Sequence, residues 1–173
     1  VLVQADTRAR MTTAAMTMRP FAERLALFWA NHFTVSMAKA SARGLVGAFE
    51  REAIRPHIAG RFEDLLRAAV THPGMLRYLD NALSAGPHSR IVARLARQQR
   101  DDGVVPRITG LNENLAREIM ELFGMGRDQG YSETDIRQGA RALTGYTYDA
   151  WTGQFRFISA RHDTEPKKIF GKE

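Results

Sequence analysis

The sequence predicts a mainly α-helical protein, an irregular helical bundle with one β-hairpin near its C-terminus. Three observations support this fold class. Apolar residues recur at spacings of three and four along most of the chain. Proline, serine and glycine stand where such helices would begin and end, and the apolar spacing changes to alternation only after residue 145. The 173 residues suffice for one helical domain with a hydrophobic core, and we expect that domain, 1–173, to be incomplete.

The first well-defined helix is predicted over 20–38, after a polar, Thr- and Met-rich stretch that we expect to be a helix outside its context. Pro20 suits the first helical position, because the N–H it lacks would have no partner there. His32 falls on the apolar side of this helix, so we expect its imidazole to point into the interior and to need a polar partner. The predicted apolar face consists of Phe21, Leu25, Phe28, Trp29, Phe33 and Met37, and Glu23, Arg24 and Asn31 lie outside it.

Three further helices are predicted before residue 84. Ser41 is the expected N-cap of the first, 42–55, which Pro56 ends because proline cannot continue a helix. The second covers 61–71, where apolar residues recur at helical spacing. The third is short and runs from Pro73 to Leu83.

Residues 84–110 are predicted to be a loop inserted within the helical domain, because Gly and Pro residues stand near both of its ends, with Gly103 and Pro106 closing it. Its middle, 91–100, is basic and amphipathic. Two interpretations stay open for this stretch: a surface helix, or a contact for lipid or an acidic partner.

Two helices and the hairpin complete the prediction. Asn112 is a plausible N-cap for a helix over 113–123. Ser132 and Asp135 resemble a capping box at the start of a helix that ends at Gly145. Aromatic residues then alternate on either side of a turn-forming segment, which is typical of a β-hairpin: Tyr146, Tyr148, Phe155 and Phe157.

The composition excludes several kinds of site. The chain has no cysteine, so disulfides, thiolate metal sites, iron–sulfur clusters and cysteine nucleophiles are ruled out. No apolar run reaches the length of a membrane span, and no signal peptide opens the chain. Because the first residue is Val1, we expect an N-terminal piece to be missing. The net charge of +6 suggests an acidic partner, but Arg residues interleave with Asp and Glu, so nucleic-acid binding is disfavoured.

Polar residues form a stripe along the predicted helix 113–123, on the side opposite its apolar residues. Two interpretations are open. The stripe is either a solvated face with weak ion pairs between residues four apart, or a covered charged network in which Glu118 and Glu121 converge on a cation or act as an acid–base pair. The polar network predicted around this stripe comprises Asn112, Asn114, Arg117, Glu118, Glu121 and Arg141.

Histidines extend this second interpretation. His32, Glu118, Glu121 and His162 are the candidate catalytic residues of a metal- or carboxylate-dependent hydrolase, and His32, His162 and Asp163 are weak candidates for a metal site. The spacings of the established metal motifs are missing, as are the serine-nucleophile elbow, the phosphate-binding loop and the dinucleotide fingerprint. We therefore expect no cofactor and assign no metal.

Several motifs in one order resemble a known family. They are LNENLAREIMELFGMG at 111–126, ARALTG at 140–145, WANHF at 29–33, EREAIRP at 50–56, YLDN at 78–81, and the closing His162-Asp163. Together they resemble the bacterial family catalogued as domain of unknown function eighteen-hundred, over 20–171 apart from 87–109. The resemblance implies a largely helical, often exported protein of several hundred residues, encoded near a secreted sulfatase-like family. This chain would be its middle portion. No catalytic residue comes with the resemblance.

The expected function is that of a non-catalytic helical module in the bacterial envelope or in a secreted protein. Its partner would be a secreted protein or an envelope polymer, and its location the periplasm or the exterior if the full-length protein carries an export signal. A hydrolase is the alternative, and nucleic-acid binding ranks third.

Overall fold

A computed structural model describes residues 2–102 and 110–173 of the chain. The chain divides into two compact units, Val1–Tyr78 (unit 1) and Leu79–Glu173 (unit 2). Helices dominate both units, and the described residues contain one two-stranded antiparallel sheet. This confirms the predicted fold class, mainly α with one hairpin near the C-terminus. The single incomplete domain stays a prediction. No helix within the described ranges combines the length and the apolar character needed to cross a membrane.

Unit 1 begins with two helices and ends with two more, joined by an irregular helical segment. Its α-helices are α1 (Leu2–Met16), α2 (Pro20–His32), α3 (Val46–Phe49), α4 (Phe62–Thr71) and α5 (Pro73–Tyr78). Around α3 the chain changes its hydrogen-bonding pattern three times, through a 3-10 turn (Arg43–Leu45), a π turn (Glu50–Ile54) and a second 3-10 turn (Arg55–His57).

The predicted apolar face of α2 is only partly correct: Phe33 is fully buried as expected, but other members of the face are exposed. Glu23 is buried together with Ala26, whereas Phe21 and Phe28 are 78% and 57% exposed. The reason is an ion pair: the Arg55 guanidinium donates two hydrogen bonds of 2.7 Å to the Glu23 carboxylate. Burying a carboxylate is tolerated when it is paired in this way. Hydrophobic periodicity alone therefore did not predict that the side of the helix with Glu23 is buried.

His32 ends α2 and is half-buried instead of lying in the interior. Its ring is nearly parallel to that of Phe28, and it meets the rings of Trp29 and Phe33 edge-on. The predicted helix 20–38 is thus shorter than expected, because the helical hydrogen bonding ends where Phe33 N–H bonds to Trp29 O.

The predicted helix 42–55 exists in a modified form. Its first turn has no side-chain cap, so Ser41 does not act as predicted. Pro56 does not end the helix but lies within the second 3-10 turn. The π turn immediately before it explains this, because the Arg55 N–H bonds to Glu50 O, five residues back. A wider turn of this kind accommodates the ring and the missing N–H of the proline.

His72 links α4 to α5 and caps the second of these helices. Its Nδ1 accepts a 3.0 Å hydrogen bond from the Gly74 N–H, and its Nε2 lies 3.3 Å from Glu52 Oε2. Burial lowers the pKa of His72 despite the opposing effect of Glu52. The neutral ring is the form that can accept the Gly74 bond, so the position of this histidine is structural.

The described residues of unit 2 form three α-helices and the hairpin: α6 (Arg90–Asp102), α7 (Asn114–Glu118), α8 (Glu133–Leu143), β1 (Tyr146–Tyr148) and β2 (Phe155–Phe157). The strands pair antiparallel with Tyr146 opposite Phe157 and Tyr148 opposite Phe155. Its core packs α7 on α8 through Ala116, Met120, Ile136 and Ala140.

Two sequence predictions are modified in unit 2. The inserted stretch contains a helix, α6, as one interpretation expected, while its closing residues Gly103 and Pro106 lie outside the described part of the chain. The predicted helix 113–123 continues beyond α7 as a π turn, Ile119–Gly124. The wider turn rotates the following side chains, so the apolar side chain of Leu122 is 55% exposed.

Candidate functional site

The polar stripe of α7 is a surface network that connects α7 to α8. Arg117 Nη1 donates to Glu121 Oε1 at 2.8 Å, and Arg117 Nη2 donates to Glu133 Oε2 at 2.8 Å. The side chains of Arg117 and Glu133 are 37% and 78% exposed. Water therefore screens most of this network.

Asn112 and Asn114 act at the start of α7. The side-chain oxygen of Asn112 accepts a 2.9 Å hydrogen bond from the Asn114 N–H, and the Asn112 N–H donates to the Ser84 hydroxyl at 3.0 Å. The N-cap position of α7 is Glu113, whose side chain makes no capping bond, so the predicted N-cap at Asn112 lies one residue too early. The Asn114 side chain is exposed.

Glu118 differs from the other carboxylates of the stripe. It is half-buried, and it accepts no hydrogen bond from any residue that the structure describes. Burial, together with the nearby charge of Glu121, raises the pKa of Glu118. Glu121 accepts a hydrogen bond from Arg117, so the two carboxyl groups have different environments although they are three residues apart.

Arg141 lies in a separate, buried cluster around Asp163. Asp163 is fully buried, and Arg141 Nε and Nη2 donate to its Oδ1 at 3.1 and 2.5 Å. His88 contributes its backbone N–H and its Nδ1, 3.1 and 3.2 Å from Asp163 Oδ2. Burial alone would raise the pKa of Asp163, but Arg141 and the N–H groups of His88 and Glu165 lower it to about 2.

Thr144 fixes the backbone of this cluster. Its hydroxyl donates to Arg141 O at 2.6 Å and accepts from the Asp163 N–H at 2.9 Å. His162 Nδ1 lies 2.9 Å from Thr144 O, and its Nε2 lies 3.2 Å from Lys167 Nζ. Because a carbonyl can only accept, His162 carries its proton on Nδ1 and receives a hydrogen bond from Lys167 on Nε2. Both of its ring nitrogens are engaged.

A glycine lets a second chain segment approach the cluster. A methyl group at Gly86 would lie 2.6 Å from Asp163 Cα and 2.7 Å from Asp163 N. Only glycine fits there without movement of the backbone. Sequence reasoning missed Gly86, His88, Thr144 and Lys167, which are separated by up to 81 positions in the chain. The sequence offered one indication of this cluster: His162-Asp163 and ARALTG (140–145) are both among the motifs that resemble the family.

The hairpin presents aromatic side chains. Tyr146, Tyr148, Phe155 and Phe157 share one face, and Trp151 projects from the turn; we call these five residues the hairpin face. Phe155, Phe157 and Trp151 are 42%, 47% and 97% exposed. The turn is ordered by Asp149, whose Oδ1 accepts from the N–H groups of Thr152 and Trp151 at 2.9 and 3.0 Å. These bonds lower the pKa of Asp149.

The four sequence-predicted catalytic residues do not form a shared cluster within either unit. His32 belongs to unit 1, and Glu118, Glu121 and His162 belong to unit 2. Within unit 2, Glu121 bonds to Arg117 while His162 bonds to Thr144 and Lys167. Among the described residues no three His, Asp or Glu side chains are grouped so as to hold a metal ion. Glu121 and His162 thus have separate partners within unit 2.

Comparison with known proteins identifies the family of this chain. A family model described as "protein of unknown function (DUF1800)" matches residues 2–173. No curated protein and no solved structure matches the chain. The matched range begins before residue 20 and includes 87–109, so it is wider than the range of the resemblance in the sequence. The chain therefore belongs to the DUF1800 family of proteins of unknown function.

Proposed function

We propose that this chain is a non-catalytic interaction module of the bacterial envelope or of a secreted protein, and that the hairpin face holds its partner. The observation that carries the proposal is the exposure of Phe155, Phe157 and Trp151 on one ordered hairpin. Contiguous exposed aromatic side chains are characteristic of interaction surfaces, where ring burial supplies much of the binding free energy.

The ordered turn supports this interpretation. Asp149 fixes the backbone on which Trp151 stands, and the Asp149 N–H donates to Gln154 O at 2.8 Å across the turn. A side chain presented on a fixed backbone loses less conformational entropy on binding than one on a mobile loop. Trp151 should therefore lose little conformational entropy when it contacts a partner.

The partner that fits best is an envelope polymer with sugar rings and negative charge. Aromatic rings pack against the apolar faces of sugars, and the net charge of +6 attracts an anionic polymer. A secreted protein is the other candidate partner. In support of a non-catalytic role, both nitrogens of His162 and the carboxylate of Asp163 are engaged within unit 2.

Binding to purified cell-wall sacculi tests the proposal. We expect the chain to co-sediment with sacculi, and the double variant Trp151→Ala/Phe155→Ala to bind about thirtyfold more weakly, because each of the two lost aromatic contacts costs on the order of 1 kcal/mol. Leu122→Ala is the matched control, since Leu122 is also exposed in unit 2 but lies on the π turn. Equal binding by the double variant and the parent chain would refute the hairpin face as the binding surface.

One observation favours a hydrolase as a second candidate. The pKa of Glu118 is raised, whereas Glu121 is paired with Arg117. A carboxyl group with a raised pKa beside a second carboxylate is a common acid–base arrangement. A panel of ester, phosphoester, peptide and glycoside substrates tests this candidate. Turnover that is lost in Glu118→Gln and retained in Glu113→Gln would support the hydrolase over the non-catalytic module.

A further inference from the structure

Unit 1 contains a cavity of about 670 Å³ between α1, α2 and the helical segment that includes α3. Its volume lies within the range of small-molecule sites, roughly 300–1,000 Å³. Most of its wall is apolar, through residues that include Val3, Met11, Leu27, Met37 and Val46. We call it the unit 1 cavity.

The same cavity is lined by more positive than negative side chains. Arg10, Arg43, Arg51 and Arg55 contribute guanidinium groups, and Asp6 and Glu50 contribute carboxylates. The lining therefore carries two more positive than negative charges, four against two. An apolar wall with an excess of arginine is complementary to a molecule that has an apolar body and a negative head.

The carboxylates of the cavity are already paired. Asp6 Oδ1 accepts from Arg51 Nη1 at 2.8 Å, and Glu50 Oε2 lies 3.1 Å from Arg10 Nε. The Arg55 guanidinium donates four hydrogen bonds, two to Glu50 and two to the buried Glu23. Neither carboxylate therefore opposes an incoming anion with an unpaired charge.

Three arginines keep donors for a ligand. A guanidinium has five N–H donors. Within the described residues, Arg10 uses only its Nε, Arg51 uses only its Nη1, and Arg43 uses its Nε for Met37 O at 2.9 Å. The remaining N–H groups form the planar fork that binds carboxylate or phosphate oxygens in pairs.

We propose that the unit 1 cavity binds an amphipathic oxyanion, a single aliphatic chain that carries a carboxylate or phosphate head group. The chain lies along the apolar wall, and the head group accepts hydrogen bonds from Arg43 and Arg51. This site is independent of the hairpin face, which belongs to unit 2.

Calorimetric titration of the whole chain with single-chain amphiphiles below their critical micelle concentrations tests the proposal. The probes are laurate, dodecyl phosphate and dodecyltrimethylammonium, which share a chain length and differ in the head group. We expect saturable 1:1 binding of laurate, of dodecyl phosphate or of both. We expect the cation to bind at least tenfold more weakly, because the arginines repel it.

Paired variants locate the site. Arg43→Met/Arg51→Met is expected to weaken binding of the anionic probe about tenfold, while Arg24→Met, an exposed position of α2 outside the cavity lining, leaves binding unchanged. Ala14→Trp is expected to fill part of the cavity and to block the anionic probe. Thr12→Trp, on the same helix but outside this lining, is expected not to.

Three results would overturn the proposal: no saturable binding of either anionic probe, equal binding of the cationic probe, or full binding by an Ala14→Trp variant whose circular dichroism matches that of Thr12→Trp. The hairpin variant Trp151→Ala/Phe155→Ala is expected to bind the anionic probe normally. Failure of the cavity proposal is therefore distinguishable from failure of the proposed function.

Discussion

The arginine–carboxylate clusters around Arg117 and Asp163 in unit 2 look alike in the sequence and differ in their surroundings. Arg117 bonds to Glu121 and Glu133 at the surface, with 37% of its side chain exposed. Arg141 bonds to Asp163 in the interior, where the two side chains are 10% and 0% exposed. The comparison teaches that burial, and not the identity of the charged groups, decides how much each cluster contributes to stability.

The physical reason is the strength of screening. An exposed ion pair competes with water and contributes little, about 0.2–1 kcal/mol. A buried pair is held at the cost of desolvating both charges, so removing one partner leaves the other buried without compensation. The Asp163 cluster also serves backbone N–H groups of His88 and Glu165, which would lose their acceptor.

The largest expected effect follows from breaking the buried pair. Asp163→Ala leaves the buried Arg141 guanidinium without its carboxylate and should lower the free energy of unfolding by about 3–5 kcal/mol. Urea unfolding followed by circular dichroism measures this loss. The double variant Arg141→Met/Asp163→Ala should lose less than the sum of the two single variants. A strictly additive result would mean that the pair is not coupled.

A smaller effect is expected from crowding the same cluster without removing a charge. Gly86→Ala brings a methyl group to 2.6 Å from Asp163 Cα and should cost up to about 3 kcal/mol, the range for overpacking a well-packed interior. Gly44→Ala is the control, because a Cβ at Gly44 meets no atom within 4 Å. If the two variants had the same unfolding midpoint, the close approach of Asp163 to Gly86 would be contradicted.

The Asp163 cluster should also make the free energy of unfolding depend on pH at acidic values, by about 2 kcal/mol. The pKa of Asp163 is lowered from 3.8 to about 2 in the folded protein, so its ionised form stabilises the fold. That contribution is complete above pH 4–5 and is lost as the pH falls towards 2, with a size of roughly 2 kcal/mol. Asp163→Asn should flatten this part of the stability profile, and an unchanged slope would contradict the assignment.

Glu118 should act with the opposite sign in the same titration. Its pKa is raised by burial and by Glu121, so the protonated form is favoured in the folded protein. Its contribution is therefore present below its ordinary pKa of 4.5 and is lost as the pH rises through the raised value. Stability of Glu118→Gln measured from pH 4 to 7 should show less decline across this range than the parent chain.

The smallest expected effect is at the surface cluster. Arg117→Met should cost less than about 1 kcal/mol, and the difference from the parent chain should shrink at high salt, because the exposed pairs are screened. Arg137→Met, at an exposed position on α8, controls for the loss of one charge. In 1 M salt the Debye length is only about 3 Å. A loss of unfolding free energy that equals that of Asp163→Ala and persists in 1 M salt would contradict the comparison.

Much of the fold was predictable because its signals are local. Helices were recognised from residues three and four apart, and the hairpin from alternation on both sides of Asp149 and Gly153. The side of α2 that is buried was not predictable, since Glu23 becomes buried only through Arg55, 32 positions later. Both π turns were missed as well, because no local rule of spacing signals them.

The candidate site also has a part that local spacing predicts and a part that it does not. The Arg117–Glu121 pair follows from its spacing of four residues on a helix. The partners of Asp163 lie 22 positions away at Arg141 and 75 at His88, so only the fold brings them together. Single-sequence reasoning therefore identified His162 and Asp163 as notable residues without assigning their partners.

The π turn over Glu50–Ile54 has a geometric consequence for the charges of unit 1. In a regular α-helix, residues five apart project about 140° from each other around the axis. The wider turn brings Glu50 and Arg55 to the same side, where Arg55 Nε and Nη2 donate to Glu50 Oε1 at 3.0 and 2.6 Å. An acid and an arginine five positions apart, followed at once by proline, thus become neighbours through one widened turn, and a search restricted to the usual helical intervals would pass over them.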